Sequence, residues 1–279
     1  MPGCLFVLSG GCAPPSVDLF DQTARPTSAP AKYDDRDWAT VLRENVKDGL
    51  VDYDHLGDHA APLERYLALV ALVGPLQTPD RFASGSARLA YYLNAYNAGV
   101  LRAVLYEQVP ATMHDVRRPS LEHGYRLLVD GRPMTLAELR QAARKESLGD
   151  ARIEFCLCDA ARGSPPLRDQ PYRPGVLEEQ LAAAAREAMD NPNLVMVDHE
   201  RERLNVALVI QQHRQEFLDS ERRQTGTNSP TVLGGLLHLA GGMRRQWLNT
   251  AAGYELGVIP FDRSLNRWAA RATTDSGGD

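Results

Sequence analysis

The sequence predicts an α+β protein: a single globular domain in which a buried central helix packs on a small mixed or antiparallel sheet. Three observations predict it. From Leu89 through Leu101 the chain carries no charge, inside a helical stretch running to about Glu107, so this helix is buried nearly all round. Tyr125–Val129 and Arg132–Thr135 flank Asp130-Gly131, the two-residue signal of a type I′ hairpin. The other strand-like and helix-like stretches are interspersed along the chain, and there is no internal repeat.

The composition fits such a domain. A chain of 279 residues suits one large or two small domains at about 150 residues each. Hydrophobic residues at 43% and charged residues at 24% allow a sizeable core. A formal net charge of −5 gives no electrostatic footprint for nucleic acid. The long apolar helix is too rich in Asn and Tyr, and too short, to span a bilayer. Four cysteines are too few for a disulfide scaffold.

Taken in order, residues 1–12 end in Leu8-Ser9-Gly10-Gly11-Cys12. This looks like a truncated lipoprotein or export signal with Cys12 as the lipidated residue, although a positively charged first region is missing. The alternative is a cytosolic tail. Residues 13–33, with Pro14, Pro15, Pro26 and Pro30 among Ser, Thr and Ala, read as a semi-extended linker. The folded domain is expected over 34–270, followed by a disordered tail at 271–279.

Within the domain, Asp37 is a plausible cap for a helix carrying Trp38, Val41 and Leu42. Gly49–Tyr53 is a short extended piece. Residues 62–73 open on a first-turn proline and repeat Leu63, Tyr66, Leu67 and Val70 at helical spacing. Ser86 is expected to cap the apolar helix. After the hairpin, Thr135 with Glu138 forms a capping box for the next helix. Residues 152–159 alternate and read as a strand, and Ser164-Pro165-Pro166 is a rigid turn. A helix follows over 175–190, then a second hairpin from 194–197 and 203–206, then helices over 207–219 and 231–249.

Several pieces together resemble one family. They are Trp38 with Gly49-Leu-Val-Asp-Tyr53, Tyr91-Tyr-Leu-Asn-Ala-Tyr-Asn-Ala98, Val129-Asp-Gly-Arg-Pro-Met-Thr-Leu136, Arg152 to Arg168, and Asp262-Arg-Ser-Leu-Asn266. In this order they resemble the domain of unknown function 547 family, DUF547, over roughly 36–268. Many bacterial members are exported or lipid-anchored, which agrees with the amino terminus. The resemblance also implies departures. Members usually carry His where Gln141 stands, His at Glu154, Cys at Ser164 and Cys at Asp159. Cys/His chemistry in the family, if it exists, would therefore be lost or altered here. A papain- or transglutaminase-like core is a fold the family could conceal.

The candidate site residues follow from both readings. Asn94 and Asn97 share one face of an apolar helix, where a buried amide must find partners. They either line a ligand pocket or bond a neighbouring loop. Glu154, Cys156 and Cys158 would share one face of their strand. Burial would raise the Glu154 pKa and suit it to general acid or base work, unless it pairs with Arg152 or Arg168. The two cysteines read as small core residues, and no metal site or cofactor is expected. Ser164 and Asp159 stand at cysteine positions through the resemblance and are catalytic candidates, Ser164 as nucleophile, although a serine needs an adjacent base. A loop histidine such as His114 or His123 would have to supply it. Gln141 and Arg168 are ligand contacts, Arg168 through its planar fork unless it is tied to Asp169, Glu154 or Asp159. Asp262–Asn266 is expected to lock the last segment through its own backbone bonds.

The reading these features favour is a tethered or exported domain of the cell envelope that binds a small ligand or protein partner without catalysis. The alternatives are a hydrolase- or transferase-like enzyme using Glu154 with Ser164 or a loop His, and a periplasmic scaffold of a membrane complex held through its lipid.

Overall fold

The structure is a computed structural model that describes residues 16–20, 33–115 and 120–268. Cys12, the signal-like residues 1–12, most of the linker and the 271–279 tail lie outside the described residues. A short strand β1 (Val17–Asp18) comes first. It is followed by helix α1 (Arg36–Asn45), the strand pair β2 (Val46–Lys47) and β3 (Leu50–Val51), and helices α2 (Tyr53–Asp58), α3 (Ala61–Leu72) and α4 (Gly85–Tyr106). After α5 (Leu121–Gly124) come β4 (Tyr125–Val129), β5 (Arg132–Thr135), α6 (Leu136–Ser147) and α7 (Leu177–Asp190). The last part holds β6 (Val195–Asp198), β7 (Arg203–Val206), α8 (Leu208–Gln212), α9 (Arg214–Thr225), α10 (Val232–Leu237), α11 (Gly242–Asn249) and β8 (Glu255–Val258). Two three-stranded sheets, β1-β4-β5 and β6-β7-β8, and the pair β2-β3 surround helices. This is the expected α+β domain. No described helix is long and apolar enough to cross a membrane.

Helix α4 is the centre. Every residue from Leu89 to Leu101 is buried, as its lack of charge requires. It packs closest against α6 and the hairpin at Gly99, where an added Cβ would lie 2.3 Å from Leu127 Cδ1 and 2.9 Å from Leu136 Cδ2. Its cap is Ser84, whose Oγ accepts from Ala87 N at 3.1 Å, rather than the expected Ser86, which sits in the first turn. Likewise α1 begins before Asp37, whose carboxylate instead pairs with Arg65 at 2.6 Å. In both cases the backbone enters the helix a residue or two early, where another side chain or none caps it.

The β4–β5 hairpin forms as predicted, with Asp130 at φ 52° and Gly131 at φ 76°, the two left-handed residues of a type I′ turn. Asp130 is fully buried because its carboxylate accepts from Leu76 N (2.7 Å) and Gln77 N (2.8 Å). Thr135 and Glu138 complete the capping box of α6. Within the expected linker, Val17 and Asp18 pair in parallel with Tyr125 and Arg126, and Leu19 is buried. The free edge of β4 takes this short stretch although its surroundings are linker-like.

The expected strand over 152–159 is not formed. Residues Ala151–Phe155 make a 3-10 turn, started by Asp150, whose Oδ1 accepts from Arg152 N at 2.9 Å. Among the described residues, no strand pairs with the segment. Its extended end is held by a side chain: Asn97 Nδ2 donates to Cys156 O (2.9 Å) and Asn97 Oδ1 accepts from Cys158 N (3.1 Å). One amide supplies the donor and acceptor that a neighbouring strand would have offered. The face-by-face placement of Glu154, Cys156 and Cys158 therefore gives way to burial of all three.

Candidate functional site

Helix α6 builds one wall of a cleft of about 1000 Å³. Ala137, Arg140, Gln141 and Arg144 recur at helical spacing and all line it. Asp159, Ser164 and Pro165 form a second wall. Leu208, Val209 and Gln212 of α8, with His213 just beyond it, form a third, and Phe261 and Arg263 close the far side.

The polar centre is a cluster of charged groups. Glu154 has no exposed side-chain surface. Its carboxylate accepts from Arg144 Nε (2.8 Å) and Nη2 (3.1 Å) and lies 3.5 Å from Arg140 Nη1. Arg140 is itself 7% exposed at its side chain. Its Nη2 donates to Tyr96 Oη at 2.7 Å and to Asp159 Oδ1 at 2.6 Å. Its Nε lies 2.7 Å from Glu122 Oε1, off the N–H direction, so this contact is a charge pair rather than a hydrogen bond. The Tyr96 hydroxyl donates a short bond to Asp159 Oδ1. Burial works against the Arg140 charge, but Asp159, Tyr96, Glu122 and Glu154 outweigh it and hold the guanidinium well above its ordinary range. Burial also pushes the Tyr96 phenol well above its usual value, so it stays protonated and remains a donor.

His213 reaches the same cluster. Arg144 Nη2 lies 2.6 Å from its Nε2 and 2.8 Å from its Nδ1, and Glu154 Oε2 lies 3.6 Å from Nε2. Burial pulls the imidazole below its ordinary value. Glu154 opposes that pull, while Arg144 and Arg140 add to it. The ring is therefore neutral at pH 7.

The structure divides the sequence candidates. Gln141, Asp159 and Ser164 line the cleft, and Glu154 lies under it through its arginine partners. Its partners are Arg144 and Arg140, not Arg152, which pairs with Asp150 and Glu178. Ser164 is buried, and its Oγ donates to Ala161 O at 2.7 Å while accepting from Asp159 N at 3.3 Å. Its hydrogen bonds include none to a histidine. Asn94, Asn97 and Arg168 lie elsewhere. Asn94 Oδ1 accepts from Trp38 Nε1 (3.1 Å) and Tyr172 N (2.9 Å), and its Nδ2 donates to Tyr172 O (2.8 Å). Arg168 pairs with Glu187 at 3.0 Å. His114 lines the cleft, whereas His123 is an exposed residue of α5. Asp262 and Ser264 bond each other, and Asn266 O accepts from Val51 N at 2.8 Å, the expected lock.

Burial raises the Cys156 thiol to about 12 and the Cys158 thiol to about 11, which leaves neither as a thiolate for a nucleophilic step. Among the described residues, Glu154, His213 and Glu216 lie close enough to share an ion. Arg144 already occupies the Glu154 carboxylate and faces the His213 ring. A cation there would sit against a fixed guanidinium, so the donor set does not suit one.

Sequence reasoning does not single out Arg140, Arg144, Tyr96, Glu122 or His213. The arginines carried a usable signal, since they repeat with Ala137 and Gln141 on one helical face. His213 did not, because 207–219 reads as one helix and its break at His213 has no residue marker.

The family model described as "Protein of unknown function, DUF547" matches residues 81–187. No curated protein and no solved structure matches the chain. The matched segment includes α4, the hairpin, α6 and the wall carrying Asp159 and Ser164, and thus the centre of the cleft. Over this segment the chain is similar to the DUF547 family.

Proposed function

We propose that this chain is a binding domain: its cleft takes a small ligand or a partner segment and does not transform it. One observation carries the reading. Ser164 and Glu154 are already committed to partners within the fold, while polar groups around them are open. Ser164 gives its proton to a backbone carbonyl, and Glu154 spends its oxygens on two arginines. Gln141 and Gln212, on the cleft surface, are exposed and free to bond a ligand. Mixed apolar walls with a few polar groups are what small-molecule sites require.

The test is a fragment screen by ligand-observed NMR against the full chain and an Ala137→Trp variant, which fills the cleft from α6. Binding that disappears in the variant, with no turnover of ester, amide and glycoside panels, supports the reading. Turnover that His213→Gln abolishes would replace it with the second reading, in which the neutral His213 acts as a general base with Glu154 3.6 Å behind it. The envelope location remains part of this proposal and rests on the signal-like run ending at Cys12. Labelled fatty acid incorporated by the native chain but not by Cys12→Ala supports the tether, and incorporation by neither removes it.

A further inference from the structure

Helix α6 gives the cleft two chemical poles one turn apart. Around Arg140 the spare atoms, apart from its own buried Nε, are acceptors. Among the described residues, Asp159 uses Oδ1 for Tyr96 and Arg140 and leaves Oδ2 without a bond, and Glu122 meets Arg140 through Oε1 alone. Around Arg144 the spare atoms are donors. Arg144 commits Nε and Nη2 to Glu154 and His213 and leaves Nη1 unbonded among the described residues. The two arginines are four residues apart, about 6 Å along a helix axis.

The charge balance narrows the ligand further. Arg140 and Arg144 meet three carboxylates, Glu122, Glu154 and Asp159, which leaves one negative charge in excess. Arg263 on the far wall balances it, so the described residues offer a polyphosphate or another multiply charged anion no surplus of cations. A net-neutral ligand with an ammonium at one end and a carboxylate at the other meets both poles. Two extended residues span about 7 Å, comparable with the rise of about 6 Å between the two arginines, and Leu208, Val209 and Phe261 offer apolar surface to a side chain between them.

Resting on the binding reading above, we propose that the cleft takes a short zwitterionic peptide, its amine toward Asp159 and Glu122 and its carboxylate toward Arg144. The ammonium donates to Asp159 Oδ2 and Glu122, and the carboxylate accepts from Arg144 Nη1. No bond is made or broken.

The experiment is calorimetric titration of the full chain with Ala-Leu, N-acetyl-Ala-Leu, Ala-Leu-amide and the doubly blocked N-acetyl-Ala-Leu-amide. The expected result is that each single block weakens binding at least tenfold. In Asp159→Asn, which keeps an acceptor for Arg140, the penalty for acetylation falls below threefold while the penalty for amidation persists. Equal binding of the free and doubly blocked peptides overturns the proposal. So does the absence of peptide binding while screened fragments still bind and are lost in Ala137→Trp, a result that leaves the cleft reading standing. If no fragment and no peptide binds, both readings fall together.

Discussion

The two sides of helix α4 solve the problem of buried polarity differently. On one side Asn94 and Asn97 are neutral, and each is closed off by peptide groups: Asn94 by the N–H and C=O of Tyr172 with Trp38, Asn97 by Cys156 and Cys158. On the other side Tyr96 enters a charged cluster with Arg140, Asp159, Glu154 and Arg144. A carboxamide has one donor end and one acceptor end, and one short backbone stretch can satisfy both. A guanidinium offers five donors and a carboxylate about four acceptor positions, and these do not all fit around one another. The neutral side therefore commits its amides to the backbone and serves as scaffold, even where Asn94 and Tyr172 line a second, smaller cavity, while the charged side keeps open atoms and lines the cleft. The two are coupled, because the segment that Asn97 clamps leads directly into Asp159 and Ser164.

The largest effect is expected from Glu154→Ala. It leaves two arginines beside a buried hole, and breaking a buried pair this way costs about 3–5 kcal/mol. Glu154→Gln should cost less, since the amide still accepts from Arg144. Urea unfolding checks both, and an alanine variant within 1 kcal/mol of the native chain would mean the cluster is solvated rather than buried. Next is Asn97→Ala. It strands Cys156 O and Cys158 N, at about 1–3 kcal/mol for each group left unpaired. The variant should also weaken any cleft ligand, because the wall bearing Asp159 loses its clamp. If stability falls and affinity does not, the two sides of α4 are independent, and the comparison is broken at its coupling.

How much of this was legible in the sequence differs by element. The burial of α4 was, because the absence of charge over thirteen consecutive residues from Leu89 to Leu101 leaves no other place for the helix. The β4–β5 turn was, because Asp-Gly specifies left-handed backbone locally. The segment 152–159 was not: its alternation resembled a strand, but the partner of its backbone is Asn97, more than fifty residues away, and periodicity carries no such information. Site residues with a family position behind them fell near the cleft, as Gln141, Asp159 and Ser164 did. The charges that organise it, Arg140 and Arg144, looked like the ordinary solvated face of a helix. Burial of an arginine is decided by what folds over it, here Glu154 from below and Glu122 and Asp159 from the sides.

The pH dependence sharpens the same contrast, since the amide side does not titrate. His213 is held below its ordinary imidazole value by burial, with Glu154 and Glu216 pulling upward and Arg144 and Arg140 pushing down. The unfolded chain then takes up a proton near pH 6.5 that the folded chain refuses. Stability is unaffected above that value and falls as pH drops from about 6.5 toward the lower folded value. Thermal unfolding of the native chain and His213→Gln between pH 7.5 and 5 measures it. The native chain is expected to lose more stability than the variant on acidification, and a constant difference across the range would place the ring in contact with solvent.

The smallest expected effect on stability is that of Gln141→Ala. Gln141 is exposed on α6, between the two arginines, and its side chain makes no hydrogen bond among the described residues. Alanine is also the better helix former, so the change should stay within about 0.5 kcal/mol. Its binding effect should be larger than its stability effect, because an open amide on the cleft surface can bond only a ligand. A loss of ligand affinity at unchanged unfolding midpoint separates Gln141 from Asn97, where both quantities move together. A loss of stability without a change in affinity would assign Gln141 to the buried cluster, and the division between a committed neutral side and an open charged side would have to be redrawn at α6.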